Sequence, residues 1–431
     1  MNEIRTSVLT RVEGHGTIEV EHDGKNALKA QVNIIEGPRL IEQIVHGRTI
    51  DEMLSIVVRI CAICSVSHKY AALRAVEGAL DVKVPEKVHL LRTLLHYGEM
   101  IESHSLHLFL LALPDLLGYS SAVGMLDKHR DLVLNGLRIK AFGNKIMQTV
   151  NARYIHGENA TVGRFGRYPE NSELEPLRRE AEELIPIADH CIRLLGKLHP
   201  PSYYERETQF LCLEPIGGQF GYVGDEIIVS NGTKFAVSEA FDHIKERTVS
   251  HSYAKRSTYK GRSFMVGALA RINLLGERLT GLAGRAYRQN YTPRWLKNPL
   301  YNNHAQAIEM LFCLENVSAL IDEIVRLPNP PEPEITNKSG DHIGAVEAPR
   351  GLLLHHHVIE DGIVIKSNIV TPTAQNLDNI EYYLKATTEN LLQTDEPPST
   401  LADKLEILIR AYDPCISCSV HVVTNVVEQS S

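Results

Sequence analysis

Long hydrophobic runs are missing from this 431-residue chain. The apolar stretch 56–66 is broken by Arg59, and 106–113 is far shorter than the roughly 20 residues that cross a bilayer. No membrane span is expected. An apolar signal core is also lacking at Met1-Asn2-Glu3-Ile4-Arg5, which points to a cytoplasmic location. There is no basic excess: 45 Lys and Arg face 53 Asp and Glu, a formal charge of −8. That balance argues against a nucleic-acid surface, which needs a basic face. A secreted disulfide frame is excluded as well, because the seven cysteines are odd in number and four of them fall in Cys-x-x-Cys pairs. No glycine-rich dinucleotide fingerprint sits between a strand and a helix, since Ile216-Gly217-Gly218 is too short a run. Further cysteine clusters that could carry an iron–sulfur wire are absent, as are low-complexity segments.

What is present is an ordinary globular composition, 43% apolar and 23% charged. The length calls for two or three packed subregions, or one large helical body with satellites. Near the N-terminus, Thr17-Ile18-Glu19-Val20-Glu21 and Ala30-Gln31-Val32-Asn33-Ile34 alternate apolar and polar residues around an Asp23-Gly24 turn, the pattern of paired strands. Helical spacing follows over 87–113, stopped by Pro114-Asp115, and over 126–152, 174–198, 238–251, 305–327 and 399–409. Breaks fall at Pro200-Pro201 and in the proline-rich stretch 328–333. Two strand-like pieces, 351–357 and 362–369, flank Asp361-Gly362. The predicted fold class is α+β and mainly helical, a large helical-bundle body with small β elements near both termini.

Two motifs echo each other from opposite ends: Arg59-Ile60-Cys61-Ala62-Ile63-Cys64-Ser65-Val66-Ser67-His68 and Asp413-Pro414-Cys415-Ile416-Ser417-Cys418-Ser419-Val420-His421. Each pair lets two thiolates chelate from one turn, and four thiolates suit a soft metal such as nickel, iron or zinc. Spacing alone leaves structural zinc and an iron–sulfur cluster open; a redox dithiol is weaker, since no thioredoxin-like βαβ unit surrounds either pair. A structural zinc knot usually staples a local ribbon, whereas this pairing joins distant parts of the chain. Such a site closes only when nearly the whole chain has been made. His68 and His421 add a hydrogen-bond donor or a further ligand. Cys191, Cys212 and Cys313 lie in apolar or helical stretches and read as core packing.

Other segments have bland readings when taken singly. Arg11-Val12-Glu13-Gly14-His15-Gly16 is a charged turn before a strand. Glu347-Ala348-Pro349-Arg350-Gly351 is a loop with an arginine reaching solvent. His355-His356-His357 cannot chelate one ion easily from a strand, where successive side chains point to opposite faces. His104 and His107, three apart on a helix, read as helix-packing residues that could share a face near a site.

Together these segments, in this order, resemble the large, catalytic subunit of [NiFe]-hydrogenases, over essentially the entire chain. The resemblance is carried by Arg-Val-Glu-Gly-His at 11–15, Arg-Ile-Cys-x-x-Cys-x-x-x-His at 59–68, and the Leu-Pro-Asp that ends a helix at Asp115. It continues with Glu-Ala-Pro-Arg-Gly at 347–351, Pro-Thr-x-x-Asn at 372–376 and the terminal Asp-Pro-Cys-x-x-Cys-x-x-His. Arg410-Ala411-Tyr412 and the stretch 298–303 look most like the soluble NAD(P)-linked hydrogenases, or sulfhydrogenases. Ala62 stands where many relatives have glycine, and Thr373 replaces a common serine while keeping the hydroxyl.

The resemblance implies that all four cysteines bind nickel, Cys61 and Cys415 terminally and Cys64 and Cys418 as bridges to an iron carrying carbon monoxide and cyanide. It implies reversible cleavage of H2 into a hydride and a proton. Cys415 is then the first proton acceptor, Glu13 the next carrier, and Arg350 a cation over the open coordination position. Pro349 and Thr373 are implied contacts to the diatomic ligands. His68 is an implied hydrogen-bond donor to a bridging sulfur, and Asp115 and Asp413 are implied to orient Arg350. A magnesium-like ion is implied at Glu42, the Ile369 carbonyl and His421. Implied partners are an iron–sulfur small subunit, flavin/NAD(P) and ferredoxin-like electron-transfer subunits, and a maturation endopeptidase. That endopeptidase would divide the chain into a domain 1–421 and a removable extension 422–431. A hydrogen-sensing subunit with the same centre is the alternative, disfavoured by the extension, which sensor relatives often lack.

Overall fold

The protein is described here by a computed structural model covering residues 2–5, 8–37, 40–394 and 398–420. His421 and the expected extension 422–431 lie outside the described residues. The body is a bundle of four long helices, Glu86–Ser105, Leu126–Asn151, Asn171–Leu195 and Asn302–Arg326. Each buries an apolar stripe, as Val88, Leu91, Leu94, Leu95 and Ile101 do on the first. The first two approach so closely that a Cβ on Gly143 would lie 2.5 Å from the Gly98 carbonyl, so glycine is required at that crossing.

Two antiparallel sheets flank this body. Strands Asn2–Arg5, Gly16–His22 and Ala27–Ile34 form one, packed against helix Pro372–Leu391. Strands Gly340–Ala348, Gly351–Glu360 and Ile363–Val370 form the other, packed against helix Ser65–Ala79. Gly344 permits that packing: a Cβ there would meet the Ala71 carbonyl at 2.2 Å.

Three expectations differ from the fold. Pro114-Asp115 does not stop its helix: after Ser105 the chain passes through a π-helical stretch, Leu106–Ala112, into helix Leu113–Leu117. Pro114 there occupies a first-turn position, where a missing N–H is tolerated. Residues 238–251 are not one helix, because the short helix Ala240–His243 gives way to strand Ile244–Val249, paired with Ser252–Tyr259. Ile244 is buried opposite Tyr259 and Arg247 is tied to Asp378, so tertiary pairing overrides the local pattern. β structure is also not confined to the ends. Strands Gln209–Glu214, Glu226–Val229, Lys234–Ala236 and Phe264–Met265 form a central sheet over a second apolar core that includes Leu211, Leu213, Ile227 and Phe235.

Candidate metal centre

The first cysteine pair sits where a 3-10 turn, Val58–Ile60, leads into helix Ser65–Ala79. Cys64 is the N-cap residue of that helix, but its side chain makes no capping bond. Glu99, from the adjacent helix, takes over that task. Its carboxylate accepts from the backbone N–H groups of Val66 (2.7 Å) and Ser67 (3.0 and 3.2 Å) and from the Ser67 hydroxyl. Burial pushes the Glu99 carboxyl up to about 8. The N–H groups of Ile63 (3.3 Å) and Cys64 (3.4 Å) both point at the Cys61 sulfur, a placement that favours negative charge there.

The second pair arrives on a four-residue helix, Ile416–Ser419, just after Asp413, whose φ is +50°. It is held from the far end of the chain. The Glu13 carbonyl accepts from Ile416 N–H (3.0 Å), and its carboxylate accepts from Ser417 N–H (3.0 Å), the Ser417 hydroxyl and the Cys415 thiol (3.2 Å). Gly14, with φ +84°, allows this approach, because a Cβ there would fall 2.7 Å from Ile416 Cβ. The Thr373 hydroxyl accepts from Cys415 N–H at 3.0 Å and keeps its own proton to donate.

The two pairs meet. Cys61 Sγ lies 3.3 Å from Cys415 Sγ, Cys64 Sγ lies 3.5 Å from Cys418 Sγ, and all four sulfurs fall within 4.8 Å of one another. All four are buried and free of disulfides. Hydrogen bonds from Cys415, Cys418 and Cys64, helped by the Arg350 charge, hold the Cys61 thiol well below its usual range, while burial pushes Cys415 and Cys418 well above it.

Arg350 is fully enclosed beside these sulfurs. Its Nε donates to the Asp413 carbonyl and its Nη2 to the Asp413 carboxylate, both at 3.0 Å, while Nη1 has no hydrogen-bond partner. Gln306 bridges Asp413 (3.1 Å) to His107 (2.6 Å), and His107 also bonds the Arg410 carbonyl (2.7 Å). Asp115 departs from expectation. It pairs with Arg11 and with Arg410 (2.7 Å), not with Arg350, because the helix turn that carries it faces the helix Pro398–Ala411. It thereby steadies the segment leading into the second cysteine pair. His68 Nδ1 lies 3.0 Å from His355 Nε2, and His355 Nδ1 lies 3.3 Å from His357, while His356 points away to Asp341. Burial pushes His68 down to about 4, so its imidazole is neutral.

Residues 39–153 and 202–421 match the model of the nickel-dependent hydrogenase family. The chain belongs to the nickel-dependent hydrogenase family. It is 41% identical to sulfhydrogenase 1 subunit alpha of Pyrococcus furiosus over 96% of this chain and 97% of the relative. It is 42% identical to sulfhydrogenase 2 subunit alpha of the same organism, over 97% and 99%. Its structure is similar to that of a chain of an NAD+-reducing [NiFe]-hydrogenase in the H2-reduced state, with TM-score 0.90 and 26% identity, covering 98% of this chain and 100% of that one. The protein is thus a hydrogenase catalytic large subunit, an oxidoreductase acting on H2.

Its four convergent thiols fit the family's nickel–iron centre: they are soft, mutually in reach and withdrawn from water. The hydrogenase's expected magnesium ligands divide. Glu42 is buried and accepts from Ile369 N–H (2.8 Å), but Lys255 already neutralises it (3.1 Å) while also reaching Glu246 and Asn368 (both 3.3 Å). Among the described residues the Glu42 carboxylate is therefore partnered by an ammonium, and a hard ion would share it. Sequence reasoning missed Glu99, Gln306, Lys255 and the role of His355. Their one sequence signal is a charged or amide side chain set on the apolar face of a helix or strand. No helix among the described residues is long and apolar enough to cross a membrane.

Proposed function

We propose that this chain is the hydrogen-activating subunit of a cytoplasmic complex that passes electrons from H2 through an iron–sulfur small subunit and flavin and ferredoxin-like subunits to NAD(P), with sulfur reduction as a further outlet. The observation that carries this reading is the closed cluster of Cys61, Cys64, Cys415 and Cys418 with Glu13 on Cys415 and Arg350 beside it. Likeness to an NAD+-reducing hydrogenase and to sulfhydrogenases supports the choice of acceptor.

When bound, the nickel–iron centre supplies heterolytic cleavage of H2. Cys61 and Cys415 would be its terminal ligands, and Cys64 and Cys418 its bridging ligands. Pro349 and Thr373 would face carbon monoxide and cyanide on the iron. The residues of the chain handle the proton. The Cys415 thiol already donates to Glu13 Oε2 at 3.2 Å, so a proton released at this sulfur has an acceptor within reach. Ser417 holds that carboxylate in place through its N–H and hydroxyl. Arg350, fixed at two nitrogens by Asp413 with Nη1 unpartnered, would supply preorganised positive charge beside the centre. His68 would donate to a bridging sulfur. A magnesium-class ion at Glu42, the Ile369 carbonyl and His421, and removal of 422–431 by a maturation endopeptidase after metal insertion, belong to the same proposal.

The test is purification with the natural partners. One nickel per large subunit with iron in excess from the partners' clusters, infrared bands of carbon monoxide and cyanide, an intact large-subunit mass ending at His421, and H2-driven reduction of NADP or NAD are the expected results. Zinc in the cysteine site, or reduction of ferredoxin alone, would overturn the reading or its acceptor respectively.

A further inference from the structure

Arg271, on the helix Ala268–Leu275, is fully buried and takes no part in the chemistry above. Its guanidinium makes an unusual set of contacts. Nε and Nη2 donate to Glu309 (2.6 and 2.7 Å) and Nη1 donates to Glu347 (2.7 Å). Nη1 and Nη2 then reach the carbonyls of two consecutive residues, Ala348 (3.1 Å) and Pro349 (3.2 Å). Both carboxylates are themselves anchored, Glu309 by His104 Nε2 (2.8 Å) and Glu347 by Leu213 N–H (2.8 Å).

The carbonyls belong to a hairpin whose register pairs Ala348 with Gly351, so Pro349 and Arg350 alone form the loop. The same helix N-terminus is seated directly on that loop. Gly351 has φ +129°, and a Cβ there would lie 2.6 Å from Gly267 N; a Cβ on Gly267, φ +119°, would lie 3.1 Å from the Arg350 carbonyl. Loop and helix therefore cannot separate or rotate without breaking Arg271's bonds.

We propose that Arg271, clamped between Glu309 and Glu347, is a positioning residue that fixes the Pro349–Arg350 loop against the metal centre. This rests on the reading of Pro349 and Arg350 given above. The alternative is a buried ion pair that serves the fold alone, and the protein contains a ready comparison. Arg92 pairs with Glu77 in a buried fork (2.8 and 2.5 Å) and bonds the Thr161 carbonyl (2.9 Å), but that carbonyl is not in the loop facing the thiols.

Arg271→Lys keeps the charge but offers a single nitrogen, which cannot span two carboxylates and two carbonyls. In the purified complex we expect full nickel and iron content, shifted infrared stretches of the diatomic ligands, and hydrogen–deuterium exchange lowered about 10²-fold, the scale of a loop misplaced by an ångström. Glu309→Gln, which preserves shape and both carbonyl contacts, should give smaller shifts in the same direction. Arg92→Lys should lower the thermal midpoint and leave the bands in place. Wild-type bands and exchange in fully loaded Arg271→Lys, or equal band shifts in Arg92→Lys, would overturn the proposal. Loss of the folded state in both Arg271→Lys and Glu309→Gln would assign the network to folding and overturn it too. Absence of the bands from the wild-type complex would instead sink the reading of the metal centre itself.

Discussion

Cys61 and Cys64 enter the site at the head of a 15-residue helix whose first N–H groups are held by Glu99, 32 and 33 residues away, whereas Cys415 and Cys418 ride on a four-residue helix tied to Glu13, about 400 residues away. The first pair is thus placed by one helix against its neighbour. The second pair depends on segments brought together only by the finished fold: the N-terminal turn at Glu13, the hairpin loop at Arg350 and the helix carrying Thr373. Identical spacing in the sequence therefore conceals two kinds of support. One half of the centre is held by neighbouring helices and the other by segments distant in the sequence, a difference that late closure of the site would require.

Removing a thiol from either half should produce the largest effect. Cys64→Ser and Cys418→Ser each replace a soft ligand by a hard hydroxyl, so nickel should be lost and hydrogen–deuterium exchange should become undetectable. The halves should differ in what else changes. Cys418→Ser should lower the thermal midpoint of the metal-free chain less than Cys64→Ser, since Ile416–Ser419, although buried, is only four residues long whereas Cys64 caps a 15-residue core helix. Retained nickel by elemental analysis in either variant would refute the four-thiol site.

Glu13→Gln tests the chemistry carried by the second half. Glutamine can still accept from Ser417, so the metal should stay in place, but it cannot take the proton from Cys415. Exchange should fall by about 10²–10⁴-fold, the usual contribution of a positioned acid–base group. Exchange at the wild-type rate would remove Glu13 from the proton path.

The support of the first half is pH-dependent. Glu99 has its folded value raised by burial to about 8 from 4.5, so between those values the folded state holds a proton that the unfolded chain has released. Its contribution is complete below 4.5 and is lost as pH rises through about 8. The groups facing it are the Ser67 hydroxyl, His96 beyond that hydroxyl at 3.4 Å, and the charge on Cys61; burial keeps His96 neutral, at about 3. The thermal midpoint of the metal-free chain should therefore decline from pH 5 to pH 8.5, and Glu99→Gln should flatten that decline. Glu99→Ala should cost about 1–3 kcal/mol near pH 5 by orphaning the Val66 and Ser67 N–H groups, a cost that shrinks as pH rises. An unchanged pH slope in Glu99→Gln would place its proton elsewhere.

The same division explains what the residues alone could tell. Long amphipathic helices announce themselves by periodicity: the stretch 126–152 is the helix Leu126–Asn151 almost residue for residue. The paired cysteine motifs were enough to anticipate one four-thiol cluster. Partners joined only by tertiary structure were not legible. Asp115 and Arg410 are 295 residues apart, and no local rule sends that carboxylate to Arg410 and not to Arg350. Strand Ile244–Val249 lies in a stretch of helical spacing, because its pairing with Ser252–Tyr259 and the Asp378 tie exist only in the fold. Arg271 gave no signal either, since a lone arginine in an apolar helix looks the same whether it reaches solvent or clamps a loop.

Thr373 offers the finest discrimination between the two halves, because it supports a single N–H of the second pair. Its hydroxyl accepts from Cys415 N–H at 3.0 Å inside a buried site. Thr373→Ser keeps that acceptor and loses one buried methyl, so stability should fall by about 0.8 kcal/mol, with exchange near the wild-type rate. Thr373→Val keeps the shape and removes the acceptor, leaving a buried N–H unpaired at a cost of about 1–3 kcal/mol. That cost falls on the half held by distant segments. The valine variant should therefore show reduced nickel occupancy while the helix Ser65–Ala79 keeps its amide protection in hydrogen exchange. Equal loss of protection around Cys61 and Cys415 would mean that the two halves form as one unit.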